Sequence, residues 1–270
     1  MASRARKTIE SRASGRKSPL RRGTTSLYEQ IRRSILNDIW RGVYRSGDLL
    51  PSESELSEHF GVNRLTVRQA VHTLANQGFV RPLHGRGYQV TSSTLSADFL
   101  TTASLSHYLK DLGLETTTKV LEAELVTPTT EVADSLGLRR GAETVRITRL
   151  RSVLDRPVAV DEAFYDAERF APLLHADLGQ TSLLELLYTT FGVRIARITT
   201  ELAAELAGER GELLGAAPNE PLLVTKAVMY GLEDDPIECG FAYYQSERVK
   251  LTFNSPIDPH SWPYGGGAKP

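Results

Sequence analysis

Cysteine is almost missing from this chain: Cys239 stands alone among 270 residues. One thiol excludes an internal disulfide framework and cannot build a zinc site unaided. Long apolar runs are missing as well. No stretch approaches the roughly 18 residues of a membrane-spanning helix, and the basic N-terminus lacks the apolar segment of a secretory signal. Catalytic signatures are also absent. There is no H-E-x-x-H, G-x-S-x-G, P-loop or Rossmann glycine pattern, and the histidines (59, 72, 84, 107, 175 and 260) have no metal-like spacing. These absences predict a cytoplasmic, non-enzymatic chain with no cofactor, metal or membrane segment. The 40% hydrophobic and 24% charged content is that of a folded chain long enough for two cores.

The charge is distributed unevenly. Residues 1–90 carry 16 Lys+Arg against 7 Asp+Glu, while residues 91–270 carry 16 against 26. A basic front and an acidic back imply that only the front meets a polyanion. Part of the excess lies in residues 1–23, poor in apolar side chains, which reads either as a solvated tail or as an arm adding phosphate contacts.

Residues 24–91 form the basic head. "LYEQIRRSILNDIWRG" predicts a helix with Ser26 as N-cap, an apolar face of Leu27, Ile31 and Ile35, and a stop at Gly42. Ser52 and Glu55 have the spacing of a capping box and start a second helix running to about Phe60. Gly61 makes the turn and Asn63 caps a third helix, whose apolar stripe is Val67, Ala70, Val71 and Leu74. Arg68, Gln69 and His72 lie opposite that stripe, and Arg64 and Thr66 occupy the first turn, where side chains and free N–H groups reach phosphates. Gly78 closes the helix. "FVRPL" and "YQV" then pair as a hairpin with His84, Gly85, Arg86 and Gly87 at its tip. A helix with an outward Arg/Gln face fits the major groove, and a basic glycine-tipped hairpin fits the minor groove or its rim.

The run "LLPSESELSEHFGVNRLTVRQAVHTLANQGFVRPLHGRGYQV" resembles the winged helix-turn-helix head of the GntR superfamily of bacterial transcription regulators. The resemblance implies DNA contacts from Arg64, Thr66, Arg68 and Gln69, and from His84, Gly85 and Arg86 in the wing. Many relatives place a DNA-contacting arginine where this chain has Ser54.

Residues 92–105 read as a polar linker, and the segment around it as the route by which a change in the back half reaches the head. Beyond it, residues 136–170 align with 214–249 after a one-residue slip. Each copy reads as helix end, turn, strand, Asp-containing turn, strand, then an aromatic pair followed by "xxER". Two copies predict a duplicated helix-plus-hairpin unit in a largely antiparallel sheet. Val145, Ile147, Arg149 and Arg151 alternate along one strand and share a covered face. Covered arginines require anionic partners, either an internal carboxylate such as Asp161 or Glu162, or a bound anion. Residues 177–193 read as a helix with Leu183, Leu184, Leu187, Tyr188 and Phe191 in the core. Thr181 or Ser182 stands at its start, as a plain N-cap or beside an anionic ligand. Cys239 reads as a small core hydrophobe.

The order of segments over residues 106–253 resembles the UTRA ligand-binding domain of the HutC subfamily, and residues 254–270 form a C-terminal tail. The resemblance implies an α+β chain: a winged helix-turn-helix domain plus a chorismate-lyase-like domain. It assigns Arg149 and Arg151 as anion ligands with Ser182 beside them. Asp161 takes the place of a ligand-binding glutamate, Glu238 and Tyr244 line the same cavity, and Ser104 or Ser106 lends a hydroxyl. Gln245 replaces an arginine common after the aromatic pair. The resulting expectation is a homodimeric repressor on a palindromic DNA operator, controlled by a small anionic effector. A phosphorylated sugar or amino sugar is the expected effector class; a phosphonate, carboxylate or amino-acid catabolite is the alternative. The second functional class is an enzyme on the chorismate-lyase-like fold, which the missing nucleophile and metal ligands argue against. The third is an architectural DNA binder whose arginines are paired internally.

Overall fold

The computed structural model describes residues 25–91, 95–98, 109, 112 and 114–252. The N-terminal tail, Ser104, Ser106 and the C-terminal tail lie outside them.

The head begins with α1 (Leu27–Trp40), α2 (Glu53–Phe60) and α3 (Arg64–Asn76), followed by the antiparallel wing strands β1 (Val80–Leu83) and β2 (Gly87–Val90). Local chemistry sets these boundaries. The Ser52 hydroxyl accepts from the Glu55 amide while the Glu55 carboxylate takes the Ser52 amide, a complete capping box worth about 1 kcal/mol. Gly61 ends α2 in the left-handed region, and Asn63 caps α3 by accepting from the Thr66 amide at 2.8 Å. Val67, Ala70, Val71 and Leu74 are all buried against Ile31, Ile35, Leu36 and Ile39 of α1. Arg32 is buried in the same layer. It donates to Glu29, to Gln77 Oε1 at 3.2 Å and to the Leu112 carbonyl at 2.8 Å.

Residues 95–98, expected within the linker, form a strand instead. β3 (Leu95–Asp98) pairs in parallel with β10 (Val249–Thr252), a partner some 150 residues away that local sequence does not reveal.

The larger domain is a six-stranded antiparallel sheet made of two copies of one unit. The first is β4 (Thr116–Val126), α4 (Thr130–Leu136), β5 (Thr144–Val153) and β6 (Arg156–Asp166). The second is β7 (Arg197–Leu206), α7 (Arg210–Leu214), β8 (Pro221–Tyr230) and β9 (Pro236–Gln245). The order β4-β5-β6-β9-β8-β7 joins the copies back to back through β6 and β9. Both unit helices end on a left-handed glycine, Gly137 and Gly215. The β5–β6 turn holds Leu154 and Asp155 at positive φ, the geometry that suits the twist of a tight hairpin. The β8–β9 turn uses Asp234 in the same region.

One sheet face is covered by α4 and α7. At one end of the opposite face, α5 (Ala167–Phe170), a 3-10 turn over Ala171–His175 and α6 (Leu183–Phe191) enclose Val145, Ile147 and Tyr165. At the other end Val153, Val158, Ala159 and Tyr244 share a buried cluster with the head. The helix expected from residue 177 starts at 183. Asp177 instead accepts from the Gln180 amide in a turn, and Ser182 caps α6. Tyr188, expected in the core, is 55% exposed beneath Arg194, and Leu186 is buried in its stead.

Candidate functional site

The first site is the outer surface of α3 and the wing. Arg64, Arg68 and Gln69 are exposed along α3, and His84, Gly85 and Arg86 are exposed at the wing tip. The Thr66 hydroxyl is half committed, bonding the Asn63 carboxamide at 2.9 Å. Arg68 is held rather than loose. Its Nε and Nη2 donate to both carboxylate oxygens of Glu53 on α2 at 2.8–3.2 Å. That pairing holds the Glu53 carboxyl below its usual range, with the Arg68 hydrogen bonds as the main cause. Glu53 was not identified from the sequence; it lies 15 residues from Arg68 and meets it only once the helices pack.

The second site is a buried polar strip in the middle of the sheet, between the two apolar ends. Cross-strand register places it: Arg149 lies opposite Asp161, Arg151 opposite Ala159, and Ala159 opposite Tyr244 on β9. Arg149 is 5% exposed and Arg151 8%, and Glu238 and Tyr244 are buried as well. Asp161 is the internal partner. Its Oδ2 accepts from Arg151 Nε and stands 3.6 Å from Arg149 Nη2. Glu162 points to the other face and meets Arg210 at 3.3 Å. Among the described residues Arg149 Nε, fully buried, has no hydrogen-bond partner, and neither has Gln245 Oε1.

The carboxyl of Glu238 accepts from the Tyr165 hydroxyl, and a Cβ at Gly240 would come within 3.0 Å of it, so glycine there leaves it room. Burial pushes Glu238 up, outweighing the Tyr165 hydrogen bond and the attraction of Arg149. Burial, then the charge of Arg151, lowers Arg149. Burial also raises the Tyr165 and Tyr244 hydroxyls, which remain protonated donors; Tyr244 is hydrogen-bonded with Thr225. Tyr165 and Thr225 were not anticipated, although Tyr165 continues the alternation of Ala159, Asp161 and Ala163. Ser182 takes the plain N-cap role, accepting from the Glu185 amide at 3.1 Å. Among the described residues no group of three or more metal-ligating side chains occurs.

The Glu238 shift has a consequence for stability. A carboxyl whose folded pKa is raised binds its proton more tightly folded than unfolded. Its contribution is therefore complete below the unfolded value near 4.5 and is lost as pH rises through the folded value. Each unit of elevation corresponds to about 1.4 kcal/mol. Glu238→Gln is expected to flatten this limb, read as urea midpoints of the two proteins from pH 4.5 upward.

A winged helix-turn-helix head carried on a larger α+β domain is the build of a transcription regulator, not of an enzyme. The chain belongs to the GntR family of bacterial regulatory proteins, HutC type: residues 27–90 match the family's DNA-binding model, and residues 111–250 match the UTRA domain. An uncharacterized HTH-type transcriptional regulator of Rhizobium meliloti is 30% identical over 84% of this chain and 93% of its own. The mannosyl-D-glycerate transport/metabolism system repressor MngR of Escherichia coli is 30% identical over 85% of this chain and 96% of its own. The crystal structure of PhnF from Mycobacterium smegmatis superposes with a TM-score of 0.62 at 26% identity, covering 84% of this chain and 99% of that one. Among the described residues no helix is long and apolar enough to cross a membrane.

Proposed function

We propose that this DNA-binding regulator is a cytoplasmic, homodimeric repressor that reads a palindromic operator and answers to a small anion held by Arg149 and Arg151. The carrying observation is the charge balance of the buried strip. Among the described residues the two guanidiniums share the carboxylate of Asp161, burial disfavours ionisation of Glu238, and Arg149 Nε–H has no acceptor. An oxyanion satisfies that donor and the residual positive charge together. Asp161, Glu238 and Tyr244 lie on the same face and suit hydroxyl or amine groups, which favours a phosphorylated sugar or amino sugar. A relative named for mannosyl-D-glycerate metabolism agrees with a sugar-derived anion. A carboxylate or phosphonate is the second reading, because Asp161 already neutralises part of the pair.

In this reading Arg68 and Gln69 enter the major groove, Arg64 and Thr66 reach phosphates from the first turn of α3, and His84, Gly85 and Arg86 meet the minor groove or its rim. The ligand shifts DNA affinity only by its differential affinity for the two states of the head. The test is in-vitro selection from random duplexes, followed by anisotropy titrations with and without sugar phosphates, phosphonates and carboxylates. A palindromic consensus and a ligand-dependent affinity are expected. A consensus without symmetry, or an affinity unmoved by the whole panel, overturns the corresponding half of the proposal.

A further inference from the structure

The outward face of α3 carries one side chain that neither charge nor hydrogen bonding explains. Leu65, Arg68, Gln69 and His72 follow one another at i, i+3, i+4 and i+7, and all four are exposed. Leu65 is 72% exposed, against 40% for Leu27, the other large exposed hydrophobe among the described residues of the head. A leucine displayed in this way among arginines has no structural task. The helix cap is made by Asn63 and Thr66, whose amide and hydroxyl donate to the Asn63 carboxamide at 2.8 and 2.9 Å. The apolar contact that fixes the entry of the helix belongs to Val62 and Val67, which both pack into the core of the head.

We infer that Leu65 is a base-reading residue, and that the group it reads is the C5-methyl of a thymine in the major groove. The inference rests on the groove placement of α3 proposed above and names a base that this helix selects. The surroundings suit DNA: the first turn of α3 holds no acidic residue, although aspartate or glutamate there would favour the helix dipole, and a carboxylate would repel the phosphate backbone. The chemistry of the groove narrows the partner. Base edges present donors and acceptors there, and thymine alone adds an alkyl group. Against guanine, adenine or cytosine, leucine displaces water from a polar edge and returns no hydrogen bond. Against thymine, two apolar groups leave water together.

Helix geometry sets where that thymine stands. Leu65 precedes Arg68 and Gln69 by one turn, a rise of about 4.5–6 Å. Successive base pairs are about 3.4 Å apart along the duplex, so the thymine lies within about two pairs of the one that Arg68 reads. Arg68 is kept from covering the same spot, because Glu53 holds its Nε and Nη2. The held arginine and the leucine one turn before it therefore read neighbouring pairs, one by hydrogen bonds and the other by apolar contact.

The test removes only the methyl. Duplexes carrying an operator selected with the full chain are prepared with each thymine replaced in turn by deoxyuridine, which keeps the base pairing and every hydrogen-bonding edge. Wild type and Leu65→Ala are titrated against each by anisotropy. A uracil within about two pairs of the one where Arg68→Ala relaxes preference is expected to weaken wild-type binding about 4-fold, the contribution of one buried methyl. The same uracil is expected to leave Leu65→Ala unmoved, so that the two losses do not add. Leu65 is exposed, so the variant is expected to keep the wild-type melting temperature, which verifies its fold. Wild-type affinity in Leu65→Ala, uracil effects equal in both proteins at every position, or a selected operator with no thymine at that distance each overturn the inference. If Arg68→Ala still relaxes base preference, the groove placement of α3 survives that failure; if neither variant differs from wild type, both fall.

Discussion

Arg68→Ala is expected to weaken binding to a selected operator by about 5- to 150-fold, equivalent to about 1–3 kcal/mol for removal of one bidentate base interaction. The loss should be specific: affinity for scrambled duplex changes little, and preference at one base pair relaxes. The reason lies in how Arg68 is held. An exposed arginine normally surrenders considerable side-chain freedom on binding, but the Glu53 carboxylate already engages its Nε and Nη2. The guanidinium's remaining N–H groups are thus displayed in a fixed plane on the outer face of α3. Glu53→Gln, which keeps the shape and loses the charge, is expected to reproduce part of the lost base preference without touching DNA itself. Arg64→Ala offers the contrast. Removing a phosphate-binding cation there lowers affinity for all sequences alike and reduces the salt slope by about one. Anisotropy titrations of the three variants against selected and scrambled duplexes at several salt concentrations separate these behaviours. Equal loss on both duplexes for Arg68→Ala would make it a phosphate ligand instead.

The second large effect concerns the buried strip. A ligand supplied at 100 times its dissociation constant adds about 2.7 kcal/mol to wild-type stability. In a chain of this size that is a shift in melting temperature of about 5–10 °C. Arg149→Ala is expected to abolish the shift while leaving ligand-free DNA binding in place, because Arg149 lies on a strand of the larger domain rather than in the head and its Nε has no hydrogen-bond partner among the described residues. Arg149→Lys keeps the charge but not the planar fork, and should retain only a fraction of the shift. Thermal unfolding of the three proteins against the anion panel is the measurement. A full shift in Arg149→Ala would move the anion off this arginine.

The head was legible almost residue by residue, because its boundaries are local chemistry. A serine three residues before a glutamate, an asparagine before a turn of helix and a glycine at a left-handed cap each act within one turn. The duplicated unit was legible for the same reason, through its repeated helix ends and Asp-containing turns. The covered Arg149–Arg151 face followed from alternation alone. What escaped depends on distant pairing. Leu95–Asp98 becomes a strand only because Val249–Thr252 lies beside it. Residues 177–182 are turn rather than helix because Asp177 and Ser182 commit their side chains to separate local bonds. Tyr188 carries an apolar body that the α6 pattern cannot distinguish from a core residue. Tyr165 and Glu238 belong to strands separated by some 70 residues, and only the β6–β9 junction brings them together.

The back-to-back duplication sets the chemistry of the strip apart from its frame. Register matches Arg149 and Arg151 of the first copy with Ala227 and Met229 of the second, and Asp161 with Gly240. Ala159 corresponds to Glu238 and Tyr165 to Tyr244, so each copy keeps its tyrosine while both cations fall in one copy. The strip is therefore divided between the copies: the first hairpin brings Arg149, Arg151 and Asp161, its twin brings Glu238 and Tyr244, and the β6–β9 junction is the seam along which the two sets meet.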